Sequence, residues 1–267
     1  STPNRRFYKM DIGEIYKDKP KLVLFEGEAE EEWIPDAQFF SSAHTAEYFP
    51  EDVGPLDKET VNIDGNWEME DFGSFSRKLR DLYAFEDSLV KAANSNTPLK
   101  MQQKIKNAFT GKPFKGGSSY GNFFNDLVLA QSREDRFDLS RIKYASPGHI
   151  ELAGKGDIFD ALEEKIESFV ENQDWLRSKY SDFHKYMSDS KLLEIQGEPI
   201  RLSQDQRDKI EFLSRELLSS LKIDRYDLLF KLAECNVVST AKISLALYRR
   251  LNAASAYFAQ GRAKYPD

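Results

Sequence analysis

The sequence predicts an α+β fold: a small irregular β portion with packed helices, followed by a helix-rich C-terminal third. Three observations predict it. Trp67, Phe72, Phe75, Leu79, Leu82, Phe85 and Leu89 recur at helical spacing. Short runs of β character occur near 5–16, 21–27, 138–144 and 148–153. From Asp157 the stripe Ile158, Leu162, Ile166, Phe169 and Val170 opens a helical pattern that continues nearly to the end.

Taken in order, Arg5 to Tyr16 alternates imperfectly, and Lys21 to Phe25 (KLVLF) follows Pro20 as a second β run, so the two predict a hairpin or neighbouring strands. Glu26, Glu28, Glu30, Glu31 and Glu32 form an acidic run. Three of these carboxylates would share one strand face, but such a run reads first as a solvated edge that discourages strand pairing. From Trp33 to Gly65, prolines and glycines predict loop with short strands. A helix is expected over 71–93, with Glu70 and Asp71 favouring the positive end of its dipole. Thr97-Pro98 predicts an N-cap with proline at the first position of a helix over 98–110. Gly111–Asn122 reads as loop, and 123–130 as helix or buried strand. Strands at 138–144 and 148–153 flank the Ser146-Pro147-Gly148 corner. In the helical region, Ser203 and Gln206 have capping-box spacing, and helices are expected near 203–220, 225–235 and 239–259. The reading divides the chain into 1–155 and 156–267, the second packed on the first, with a further break near 190–202 at Gly197 and Pro199.

Composition narrows the function classes. At 40% apolar and 31% charged, with 19 Phe and 12 Tyr, the chain has material for an aromatic core. A net charge of −7 argues against a general nucleic-acid binder, although a local basic patch remains compatible with it. The single cysteine, Cys235, excludes an internal disulfide; its apolar neighbours Leu232, Ala233, Val237 and Val238 predict a buried thiol. No run approaches the length of a membrane span, and no leader pattern opens the chain, so the expected setting is cytoplasmic.

Three groups of residues invite a functional reading. Lys112, Lys115, Gly116, Gly117, Ser118 and Ser119 combine cations, hydroxyls and glycines ahead of an apolar segment, a composition that can cradle an anion. Gly117 stands where the phosphate-binding GxxxxGK[ST] pattern requires lysine, and a tight turn explains the glycines as well. Ser146, His149 and Glu151 form a polar corner, and on a strand His149 and Glu151 point to one face while Ser146 precedes the turn. Lys242, Arg249 and Arg250 lie close on one helix and form a basic face with Tyr248, Tyr257, Arg262 and Lys264 nearby. His44 and His184 are isolated, and no zinc-ligand spacing occurs, so no metal site is expected.

The segments FSRKLRDLYAF (75–85), GGSSYGNFFNDL (116–127) and RIKYASPGHIEL (141–152) resemble a group of uncharacterised bacterial proteins with GGxSxxNFFNDL-like and YASPGxIEL-like segments. The resemblance covers about the middle third and implies a bacterial source. It carries no activity, so no residue gains a catalytic role from it. Two functions follow as expectations. The first is a non-catalytic interaction or regulatory protein that binds another protein through its helical C-terminal region, with no cofactor and no membrane. The second is a hydrolase of a phosphate-containing substrate (nucleotide or nucleic acid), with Gly111–Asn122 cradling the anion and Mg²⁺ admitted only in this case.

Overall fold

A hydrophobic helix of 23 residues, α8 (Val237–Ala259), is buried on nearly every side for its first three turns. A helix that is apolar all round needs neighbours all round. α1 (Met69–Ala93), α4 (Gly156–Glu171), α5 (Gln173–Asp189), α6 (Gln204–Ser220) and α7 (Tyr226–Leu232) supply them, while α2 (Leu99–Thr110) and α3 (Gly117–Ala130) pack on α1 and on each other. This computed structural model describes Tyr8, Lys9, Val23, Leu24 and residues 56–111, 117–132, 135–145, 147–195 and 202–266, with the side chains of 117–119 left aside. Helices predominate, beside a small antiparallel sheet, so the α+β class with a helix-rich C-terminal region is the observed one.

The chain divides into two compact units, Ser1–Asp52 and Val53–Asp267. The expected change of character at 155/156 falls inside the second. In the first, β1 (Tyr8–Lys9) pairs antiparallel with β2 (Val23–Leu24), Tyr8 opposite Leu24. The whole acidic run, Glu26 to Glu32, and His44 lie outside the described residues.

In the second unit, β3 (Asp57–Ile63), β4 (Asp138–Lys143), β5 (Gly148–Gly154) and β6 (Ala263–Lys264) form a sheet of order β4-β5-β3-β6. Val61 faces Ile150 across the β3–β5 ladder, and both are buried. The alternate residues Thr60, Asn62, His149 and Glu151 look the other way and stay partly or fully exposed. This is the one-face burial usual in an antiparallel sheet. β3 lies in the stretch expected to be loop with short strands. Its first half, Asp57-Lys58-Glu59, is polar, and only Val61 and Ile63 are buried.

Local chemistry fixes the helix ends. Ser203 and Gln206 form the expected reciprocal cap of α6, at 3.2 and 3.1 Å. Thr97 does not cap α2; its hydroxyl donates to the Lys91 carbonyl at 2.7 Å and closes the end of α1 instead. The Asp57 carboxylate on β3 accepts from the Gly156 N–H at 2.8 Å, satisfying an otherwise free donor at the start of α4. At Gly154 only hydrogen fits, because a Cβ would come within 2.8 Å of Phe159 and 2.9 Å of Tyr83. Both rings therefore pack directly on the end of β5.

Lys191, Lys222 and Glu234 end α5, α6 and α7 in the left-handed region, with φ of 54, 59 and 54°. In each case the next residue donates back five positions: Leu192 to Met187, Ile223 to Leu218 and Cys235 to Phe230. The first two of these links bring buried side chains together. This is the usual helix stop, normally made with glycine. Lys222→Gly is therefore expected to stabilise the fold by about 0.5–1 kcal/mol, read as a higher urea midpoint. Cys235 itself is exposed, not buried, because this stop turns it outward with φ 56°.

Candidate functional site

The sequence placed an anion loop and a basic helix face far apart; the fold brings the edge of one to the heart of the other. α3 begins at Gly117, within the stretch expected to be loop. Tyr120, Phe123, Phe124 and Leu127, at helical spacing, are all buried. Their burial outweighs the roughly 1 kcal/mol that each of Gly117 and Gly121 costs a helix. Tyr120, Gly121 and Phe124 then form one wall of a cleft of about 390 Å³; Ala246, Arg249 and Arg250 on α8 form the other.

Each guanidinium in this cleft lies on an aromatic ring. The Arg249 Cζ is 4.3 Å from the centre of the Tyr120 ring, and the Arg250 Cζ is 4.8 Å from that of Phe124. Stacking of this kind holds arginine in place. Arg249 Nη1 reaches the Tyr180 hydroxyl at 3.5 Å, and its Nη2 is buried with no acceptor. Arg250 Nη2 binds Asp81 Oδ2 at 3.1 Å, and Arg80 approaches Asp81 Oδ1 at 3.6 Å. Asp81 is 4% exposed. Burial raises its pKa despite the opposing pull of Arg250 and Arg80. Burial likewise lowers the Arg250 pKa, and Arg77 and Arg80 push in the same direction while Asp81 resists. Lys78 is lowered by burial and then by Arg250 and Arg77. Three arginines, Arg77, Arg80 and Arg250, thus act on one engaged carboxylate, on a chain whose net charge is −7.

Lys242 does not belong to this surface. It lies seven residues before Arg249, two turns along the same side of the helix. There the chain following α5 covers it: its Nζ donates to the Ile195 carbonyl at 2.6 Å, and the residue is 2% exposed. Burial pushes its pKa down to about 8. Between that value and the ordinary 10.5, the unfolded chain binds the proton and the native chain does not, so native stability rises with pH. Relative to Lys242→Met, the protein is expected to gain about 2 kcal/mol between pH 7 and pH 9.5, measured by urea unfolding at each pH.

The other sequence candidates have different outcomes. Lys112, Lys115, Gly116 and Ser146 lie outside the described residues. Gly117, Ser118 and Ser119 form the first turn of α3, one turn ahead of the cleft wall. His149 and Glu151 share the open face of the sheet, with Nε2 and Oε1 3.3 Å apart, and Arg141 adds a contact to Glu151 at 3.4 Å. They build a surface polar patch. Arg262 leaves the basic cluster as a clamp, stacking on Trp67 and Tyr257 and binding Asp71 at 2.6 Å.

A second polar cluster had no signal in the sequence. Asp87 on α1, fully buried, binds Lys91 Nζ at 2.6 Å and Lys155 Nζ at 3.1 Å. Asp135 binds the same two ammonium groups at 2.8 and 2.7 Å, closing a ring of alternating charge. Gln131 Nε2 donates to Asp87 at 2.9 Å, and the Tyr83 hydroxyl accepts from the Lys155 backbone N–H at 2.7 Å. Burial works against the Asp135 charge, yet hydrogen bonds from Lys155, Lys91 and Ser132 hold its carboxyl well below the usual carboxylate range. Burial also works against the Lys155 charge, and Asp135 and Asp87 hold its ammonium above the ordinary value. The charges satisfy one another, so the ring ties α1, the start of α4 and the segment before β4 together.

Among the described residues, no group of three His, Cys, Asp or Glu side chains is arranged to hold a metal ion. No helix among them is long and apolar enough to cross a membrane. The chain matches no family model, no curated protein and no solved structure.

Proposed function

We propose that the protein is a non-catalytic binding protein that takes an acidic group of a protein partner into the cleft between α3 and α8. The observation that carries this reading is the pair Arg249 and Arg250, each held on an aromatic ring in the wall of one cleft. Guanidinium groups fixed in advance lose little freedom when they pair with an anion. Among the described residues, the walls offer charge and aromatic surface, with no carboxylate, imidazole or thiol to move a proton or attack a bond. That chemistry favours binding over the alternative of phosphate-ester hydrolysis. One wall of the cleft, α8, belongs to the helical C-terminal region, and this supports a partner-binding role for that region. The resemblance of the middle segments to bacterial proteins supports a bacterial cytoplasm as the setting.

The test is binding of fluorescent peptides rich in Asp, Glu or phosphorylated residues, followed by anisotropy. Affinity is expected to fall with rising salt, as for any exposed charge contact. Arg249 makes no ion pair within the described structure, so Arg249→Ala removes its contribution without stranding a buried carboxylate. That change is expected to weaken binding by about tenfold to a hundredfold, the range for hydrogen bonds to a charged group. Unchanged affinity in Arg249→Ala would remove the cleft from the function.

A further inference from the structure

Resting on that reading, we infer that the group entering the cleft is a phosphate monoester dianion, carried on a phosphorylated serine or threonine of the partner. Three observations lead to it. The first is charge. Arg77, Arg80 and Arg250 all act on Asp81, whose two oxygens are already taken by Arg80 and Arg250, and Arg249 stands beside Arg250 in the cleft wall. A single carboxylate brings one negative charge to this excess. A phosphate monoester brings nearly two, with three acceptor oxygens.

The second is the supply of donors. Arg249, in the cleft wall, has a buried Nη2 with no acceptor within the described structure. A buried donor without an acceptor carries a desolvation penalty that an incoming anion relieves. Arg249 also pairs with no carboxylate within the described structure, so its charge is left for an incoming phosphate. The third is what the rings are doing. Tyr120 and Phe124 are buried to 9% and 1% exposure, and the faces nearest the cleft carry Arg249 and Arg250. Single-stranded nucleic acids are held by open aromatic faces along a cationic track. Here the rings are occupied and Arg249 and Arg250 share one cleft, an arrangement suited to one compact dianion.

The experiment uses the full chain and three matched peptide libraries with degenerate flanks: a central phosphoserine or phosphothreonine, the unmodified hydroxyl residue, and aspartate. A single-stranded oligonucleotide of similar length is the fourth probe. The phosphorylated library is expected to bind at least about tenfold more tightly than the aspartate library, reflecting additional charge-assisted hydrogen bonds. That preference is expected to shrink in Arg249→Lys, which keeps the charge but loses the fork, and to disappear in Arg249→Ala. Equal binding of the phosphorylated and aspartate libraries, still dependent on Arg249, overturns the phosphate inference and leaves the anion-binding reading standing. Tighter binding of the oligonucleotide overturns the phosphorylated-protein partner. Absence of Arg249-dependent binding to all four probes overturns both.

Discussion

Asp87→Ala is expected to lower the unfolding free energy by about 3–5 kcal/mol, the range for removing one partner of a buried ion pair. The side chain is fully buried and serves two ammonium groups and an amide. Its removal leaves Lys91 and Lys155 sharing only Asp135, and Gln131 loses its 2.9 Å acceptor. Gln131 Oε1 already lacks a donor, and its Nε2 would keep only the Asp135 carbonyl at 3.3 Å. Urea unfolding followed by far-UV circular dichroism measures the loss. A change under 1 kcal/mol would mean that the ring is not the tie between α1 and the start of α4. Because the net cost of a buried pair is set by desolvation as much as by attraction, simultaneous replacement of Asp87, Lys91, Asp135 and Lys155 by apolar residues would cost far less than the single change.

Arg250→Leu is the second large effect, at about 3 kcal/mol near neutral pH. The leucine keeps the packing on Phe124 but leaves Asp81, at 4% exposure, with Arg80 as its remaining partner. The pH dependence has a definite sign. Burial raises the Asp81 pKa in the native chain, and loss of Arg250 raises it further. A native carboxyl that holds its proton more tightly than the unfolded one gains stability as pH falls. The deficit of the variant is therefore full above its native pKa and disappears in acid. Asp81→Leu combined with Arg250→Leu should recover most of the loss at neutral pH, since both charges are then gone. A deficit independent of pH would show that Arg250 acts through packing alone.

Most of the fold was legible because most of it is helix with one buried stripe. Phe72, Phe75, Leu79, Leu82, Phe85 and Leu89 marked α1, and the Ser203–Gln206 cap marked the start of α6 to the residue. The failures have physical reasons. In 117–122, glycine and serine propensity pointed to loop, while the decisive force was burial of Tyr120 and Phe123, set by what packs on them. β3 was hidden because an edge-to-centre strand with a solvated half alternates weakly, and its partners β5 and β6 lie far along the chain. Cys235 had apolar neighbours, but its backbone belongs to a helix stop that faces water.

The site was legible only in halves. Arg249 and Arg250 stood out as a basic pair on a helix, and the glycine-rich stretch near 121 stood out for its composition. Nothing local says that Tyr120 and Phe124 lie beneath those two arginines, because that contact is made by α1, α3 and α8 packing together. The same reasoning explains Lys242. Helical spacing grouped it correctly with Arg249, and only the chain following α5 decides that one is covered and the other open.

Gly121 offers the most direct test of the cleft as the binding site. It lines the cleft, and a Cβ built on it meets nothing within 4 Å. Gly121→Leu therefore adds a side chain at the cleft wall whose Cβ meets no neighbour, and it replaces a poor helix former in α3 with a good one. The measurement is the affinity of Gly121→Leu for the tightest-binding acidic or phosphorylated peptide, alongside its thermal midpoint. The expected result is a midpoint at or above that of the unaltered protein, with peptide binding reduced by about a hundredfold, in the range of a hot-spot loss. Full affinity in a stably folded Gly121→Leu protein would contradict the assignment of the α3–α8 cleft as the place where the partner binds.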